Sequence, residues 1–235
     1  MGLQSLVLLL CAVRATEREP KNASLALARS APLPLAADRR LSDQYAQITK
    51  LAASDAAVRA AFGYSVAING DTIVVGAYGD WSGSVYVFRA TDGGATHDEV
   101  AKLTAADAAE DDRFGYAVAI DGDTVVVGAY QDDDAGSGSG SVYVFRTSDG
   151  GATYAQVAKV TAADAAWANY FGYSVAIDGN TIVIGAWGKD SRTGSVYVFL
   201  TTDGGATYDQ VAKLTTADGG SFGYSVAIDG GIVLI

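Results

Sequence analysis

The chain has 235 residues, enough for one large domain or two small ones, and 49% of them are apolar, so a sizeable core can be buried. A net charge of −11 excludes a nucleic-acid binder, which needs clustered Lys and Arg to neutralise phosphates. With 28 Gly, 3 Pro and 13 Tyr, the composition suits short strands joined by tight turns.

The first element is an apolar run, Leu6 to Val13, followed by small residues around Ala15. It reads as a secretory signal over residues 1–15 and is too short to span a bilayer. Cys11, the only cysteine, lies inside it, so a mature chain holds no disulfide and depends on its packed core. Residues 16–42 mix Pro, Ala, Arg and Ser without periodicity and read as a flexible linker or pro-segment, with a glycosylation sequon at Asn22-Ala23-Ser24. No later segment is apolar and long enough to predict a membrane span.

From residue 43 the chain repeats itself with a period of 51–57 residues. The phrases FGYSVAINGDTIVVGAY, FGYAVAIDGDTVVVGAY, FGYSVAIDGNTIVIGAW and FGYSVAIDGGIVLI open at Phe62, Phe114, Phe171 and Phe222. GSVYVF follows at Gly83, Gly140 and Gly194, and a closing phrase ends each repeat, as in TSDGGATYAQVAKVTAADAA. Full repeats occupy 62–113, 114–170 and 171–221; partial ones occupy 43–61 and 222–235.

Each full repeat predicts four strands. In the first these are Phe62 to Ile68, Thr72 to Tyr78, Ser84 to Phe88 and about His97 to Thr104. The first two are joined by Asn69-Gly70, a pair that favours the type I′ hairpin because both central residues need positive φ; Asp121-Gly122, Asp178-Gly179 and Asp229-Gly230 recur there. Both faces of the strands are apolar or small, so each sheet is expected to lie between neighbours. Sheets stacked around an axis make a β-propeller. The fold class is therefore all-β: a β-propeller or partial propeller of four-stranded antiparallel blades, about 3.5 repeats long. The reading gives fifteen strands, one short of four blades, because the partial repeats lack a third strand. A truncated product, a half-propeller pairing with another copy through open blade edges, and a small closed ring all fit. A missing C-terminal region could carry an anchor to the cell surface.

Phe62-Gly63 with Gly76-Ala77, Phe114-Gly115 with Gly128-Ala129, and Phe171-Gly172 with Gly185-Ala186 resemble the FG-GAP repeat, the family of the integrin α-subunit propeller and of many secreted or surface proteins. The resemblance covers roughly residues 43 to 235. It implies an extracellular binding or adhesion module. Family members with calcium sites carry them in longer loops between the first two strands; the two-residue turns here are too short to supply about six to eight oxygens. Thr147 to Tyr154 (TSDGGATY) is similar to the Asp-box of sialidases, and Asp203, Gly205, Thr207 and Tyr208 match as well. Asp92, Gly94 and Thr96 match with His97 in the aromatic place. In that family the box is a structural hairpin away from the active site.

Chemistry is expected where the repeats differ. No Cys or second His supports a thiolate or a Ser-His triad, and a zinc site lacks ligands. Arg89 and Arg146 sit at equivalent places on separate blades instead of converging as a sialidase-type site requires. No enzyme activity and no cofactor are expected. The longest variable loop contains Asp132, Asp133 and Asp134, the candidate calcium ligands. Trp81, Trp187, Lys189 and Arg192, in the equivalent loops of the other repeats, are the candidate binding residues. The expected function is a secreted or cell-surface module that recognises an extracellular protein or glycan. The alternatives are a sialidase-like glycan-processing enzyme and a structural wall or matrix component.

Overall fold

A computed structural model of the chain describes residues 24–30, 45–79, 81–217 and 220–235. The expected signal (1–15) and Asn22 lie outside the described residues. Sixteen strands occur among those described. β1 (Ser24–Ser30) and β2 (Tyr45–Ala52) form one hairpin. Three four-stranded antiparallel sheets follow. The first blade is β3 (Ser65–Asn69), β4 (Thr72–Ala77), β5 (Ser84–Arg89) and β6 (Asp98–Leu103). The second is β7 (Ala117–Asp121), β8 (Thr124–Ala129), β9 (Ser141–Arg146) and β10 (Ala155–Val160). The third is β11 (Ser174–Asp178), β12 (Thr181–Ala186), β13 (Ser195–Leu200) and β14 (Asp209–Leu214). A final hairpin pairs β15 (Ala227–Asp229) with β16 (Ile232–Leu234).

Two expectations shift. The first strand of each blade begins after the Phe-Gly-Tyr phrase, because Phe62 to Tyr64 form a turn that sets the phenylalanine under its own blade. The stretch expected as linker contains β1.

Strand order within a blade follows chain order, so every connection is a hairpin. The second and third strands are buried along almost their whole length. The fourth alternates exposed and covered residues in β6, DEVAKL, which marks it as the outer strand with one wet face. Each core cluster draws on two neighbouring blades. Val74, Val85 and Val87 of the first blade pack with Phe114, Val125, Val127, Tyr143 and Phe145 of the second. Val126, Val142 and Val144 pack in the same way with Phe171, Ile182, Ile184 and Tyr197 of the third. The opening phenylalanine anchors each blade: Phe114 meets Tyr143 and Phe145 edge to face, with ring centroids 5.5 and 5.9 Å apart.

Blades also dock through backbone. Phe114 N–H donates to the Ser82 carbonyl at 2.8 Å, and Ser65 Oγ donates to the Gly115 carbonyl at 2.7 Å. The approach is close enough to require glycine. A Cβ on Gly128 would lie 2.0 Å from the Gly172 carbonyl oxygen of the next blade. This explains the glycine that recurs near the end of the second strand in each complete blade, at Gly76, Gly128 and Gly185.

Candidate functional site: the loop end of the blades

Antiparallel order divides the connections between two ends. The turns joining strands one to two and three to four lie at one end. The loops joining strands two to three, and each blade to the next, lie at the other.

The first end is built for support. Asp149 Oδ1 accepts from the N–H groups of Ala152 and Thr153, both at 2.9 Å, and Thr153 Oγ1 donates to Oδ2 at 2.6 Å. Asp203 repeats this set with Ala206 and Thr207. Hydrogen bonds from threonine hydroxyls and N–H groups hold both carboxyls far below the usual carboxylate range. Arg89 Nη1 donates to the carbonyl of Gly150, in the turn of the following blade. Arg146 lies against Gly205 in the same relation. Both arginines are thus interblade ties.

The second end carries the variation. An aromatic arc runs along it where the first strands begin and the second strands finish. Tyr64, Tyr116, Tyr173 and Tyr224 succeed one another at 4.8 Å between ring centroids. Tyr78, Tyr130 and Trp187 pack edge-on behind them. Hydroxyls of the front row form a chain, with Tyr64 Oη donating to Tyr116 Oη and Tyr116 Oη to Tyr173 Oη, each at 2.8 Å. Burial and those hydroxyl partners push Tyr116 far above its ordinary range, so it remains a neutral donor and acceptor. The outer members Tyr64 and Tyr224 are more than half exposed, at 51% and 57%.

Of the two candidate tryptophans, Trp81 is the one open to solvent, at 63%. It stands over a cavity of about 260 Å³ lined also by Ser82, Gly83, Ser84, Lys102, Thr104 and Ala108. Trp187 is instead half-buried in the arc, stacked on Tyr170 at 5.3 Å, with Arg192 over its ring at 5.8 Å. Lys189 turns inward. It is 8% exposed, and its ammonium donates to the Asp164 carbonyl at 2.8 Å and lies 3.3 Å from the Asp164 carboxylate. The residues Gly188 to Thr193 make a tight turn with left-handed backbone at Asp190, Ser191 and Arg192, and that turn aims the lysine at Asp164. Trp167, not among the sequence candidates, is 75% exposed on the connection between the second and third blades. Its signal was visible: a lone Trp in an otherwise Ala-rich connecting phrase.

A Lys–Asp–Tyr set recurs beneath this end. Tyr86 Oη donates to Asp55 at 2.6 Å and Lys102 reaches the same carboxylate at 2.6 Å; Tyr197, Lys213 and Asp164 repeat it. Each Asp follows the fourth strand of the preceding blade, so the set ties neighbours together. Burial raises Asp164, but Lys213, Tyr197 and Lys189 outweigh it and hold the carboxyl down at about 2.

In the second blade the calcium candidates join this set. Asp132 is buried and accepts from Tyr143 Oη at 2.7 Å, while Asp133 accepts from Gly138 N–H at 2.7 Å. Carboxylate oxygens of Asp107, Asp132 and Asp134 lie within 4.8 Å of one another, a spacing compatible with a cation. A cation of the protein's own is already there. Lys159 Nζ lies 2.6 Å from Asp107 and 3.2 Å from Asp132, and pairs with Asp134 as well. Burial lowers Lys159, but the carboxylates overcome it and hold the ammonium above its ordinary range. The chain's own lysine thus sets its ammonium among the three carboxylates.

Among the described residues no helix is long and apolar enough to cross a membrane. The family model of the FG-GAP repeat matches residues 45–88, 97–145 and 154–199. No curated protein matches the chain significantly. Among solved structures, Sqt1 from Saccharomyces cerevisiae is similar at a TM-score of 0.46 and 10% identity, over 68% of this chain and 37% of that one. Sqt1 from Chaetomium thermophilum is similar at 0.43 and 17% identity, over the same shares. The chain therefore matches little more than a third of either.

Proposed function

Since the chain belongs to the FG-GAP repeat family, we propose that it is an extracellular, non-catalytic adhesion-type module that recognises a protein or glycan through the loop end of its blades. The observation that carries this reading is the grouping of the aromatic arc, Trp81 and Trp167 at the end where the repeats diverge. Binding residues concentrate on loops held by a rigid scaffold, and exposed aromatics supply contact area at small entropic cost. The opposite end repeats nearly unchanged and spends its charged groups on turns. That division also weighs against the sialidase-like alternative, because Arg89 and Arg146 are each committed to the neighbouring turn.

The test is an array of extracellular proteins and glycans probed with wild type and with Trp81→Ala/Trp167→Ala. The double variant should lose at least about tenfold in affinity for any partner found. Its stability should stay within about 0.5 kcal/mol for each exposed position. Undiminished binding by the double variant would remove this face from the account, and hydrolysis of an arrayed glycan would replace binding by catalysis.

A further inference from the structure

The loops that join second to third strands end in the same step. Trp81, Gly138 and Arg192 each stand two residues before the glycine that opens the third-strand phrase, Gly83, Gly140 and Gly194. All three have left-handed backbone, with φ of +30°, +65° and +73°. Each carbonyl accepts an N–H from the connection that follows the blade: Asp111 donates to Trp81 at 2.9 Å, Tyr170 to Gly138 at 2.9 Å and Ser221 to Arg192 at 3.1 Å. The conformation suits the glycine of the second blade. In a bulky residue it is strained, and strain of this kind is kept at sites of function. At Trp81 the strained backbone is tied to the next blade while the indole stands 63% exposed.

The cavity beneath this indole lies where the repeats part. Six residues, 78–83, join β4 to β5, against eleven (130–140) and eight (187–194) in the second and third blades. The longer loops carry carboxylates onto the lysine of the fourth strand: Asp132 and Asp134 onto Lys159, and Asp190 onto Lys213 at 3.6 Å. Beside the shortest loop, the corresponding Lys102 lines the cavity with Ser82, Ser84, Thr104 and Ala108. Ser82 and Ser84 are buried polar residues of its wall, 4% and 3% exposed. Ser141 and Ser195, the counterparts of Ser84, are sealed at 0%.

These features fit one class of ligand. The volume of about 260 Å³ lies below that of drug-sized pockets and leaves room for a single small ring. An indole over hydroxyl-bearing walls offers an apolar face for ring C–H groups and polar partners for ring hydroxyls. The Lys102 ammonium already has the Asp55 carboxylate at 2.6 Å, and a chain of net charge −11 repels anions, so the ligand is uncharged. We propose that the cavity is a subsite for one neutral pyranose residue of a glycan. The sugar packs a C–H face on Trp81, and its hydroxyls exchange hydrogen bonds with Ser82, Ser84, Thr104 and Lys102. This names the ligand class within the loop-end reading and rests on that reading.

In the experiment the full chain is titrated with the methyl glycosides of glucose, galactose, mannose and N-acetylglucosamine, read by calorimetry and saturation-transfer NMR. At least one should bind with a dissociation constant of about 1 mM, with saturation reaching the C–H protons of one ring face. Trp81→Gly, which installs the second blade's residue, should weaken binding at least about tenfold. It should leave Tm unchanged or raise it, because glycine relieves the strain. An indole that serves only to cover the cavity predicts a lower Tm instead. Binding undiminished by Trp81→Gly, a fall in Tm with that variant, or no binding of any of the four glycosides overturns the proposal. With no glycoside bound, an arrayed partner lost with Trp81→Ala/Trp167→Ala would still uphold the loop-end reading. Glycoside binding that depends on Trp81, with no arrayed partner lost in the double variant, would uphold the subsite and remove the wider face.

Discussion

Gly128→Ala is expected to destabilise the protein by about 3 kcal/mol, the upper range for overpacking a close-packed site. The added methyl would meet the Gly172 carbonyl oxygen at 2.0 Å and its carbonyl carbon at 3.0 Å. Both are backbone, so neither can swing aside; the second and third blades must part, and their shared core parts with them. The effect should appear as a fall of about 6–12 °C in Tm for a chain of this size. Gly122→Ala is the control. Its φ is +53° and nothing lies within 4 Å, so it should cost only about 1 kcal/mol, from the left-handed backbone alone. Equal losses for the two variants would mean that the blades are not in backbone contact.

Lys159→Ala should cost a similar amount, about 3 kcal/mol, for a different reason. Removing the ammonium leaves three carboxylates together, and the Asp132 side chain is only 5% exposed. An unpaired buried charge is costly, whereas an exposed ion pair contributes little. Lys102→Ala, whose pair with Asp55 is 35% and 50% exposed, should therefore cost no more than about 1 kcal/mol. Adding Asp132→Asn to Lys159→Ala should recover part of the loss, and urea denaturation of the two single variants and the double variant measures the coupling. A loss for Lys159→Ala no larger than that for Lys102→Ala would show that the second blade's loop does not bury its charge.

These two sites mark what the sequence reveals and what it hides. The blades are legible because their signals are local. Asn-Gly and Asp-Gly fix the hairpins, and the unbroken apolar phrases TIVVGA and SVYVF announce strands buried on both sides. β1 was hidden because Ser24–Ser30 reads SLALARS, with no β-branched or aromatic residue of the SVYVF phrase. It is a strand through its pairing with β2, which composition does not record. The residues of the Lys–Asp–Tyr sets lie far apart in the chain, Asp55 and Lys102 being 47 positions apart, so the repeat shows each residue but not their meeting. The same holds for the calcium candidates. Three consecutive Asp residues are plain in the sequence, while the lysine that lies among Asp107, Asp132 and Asp134 belongs to another strand. For the candidate binding residues, the sequence shows the loops they stand on but not their orientation: Trp81 faces solvent, whereas Trp187 and Lys189 turn toward the protein.

The central claim is that an invariant scaffold presents one variable face for recognition. Hydrogen exchange with a bound partner tests it most directly. Protection should fall on residues 79–83, 106–113, 131–139 and 164–170, the loops around Trp81 and Trp167. Protection confined to the Asp turns at 91–97, 148–154 and 202–208 would place recognition at the opposite end and contradict the account.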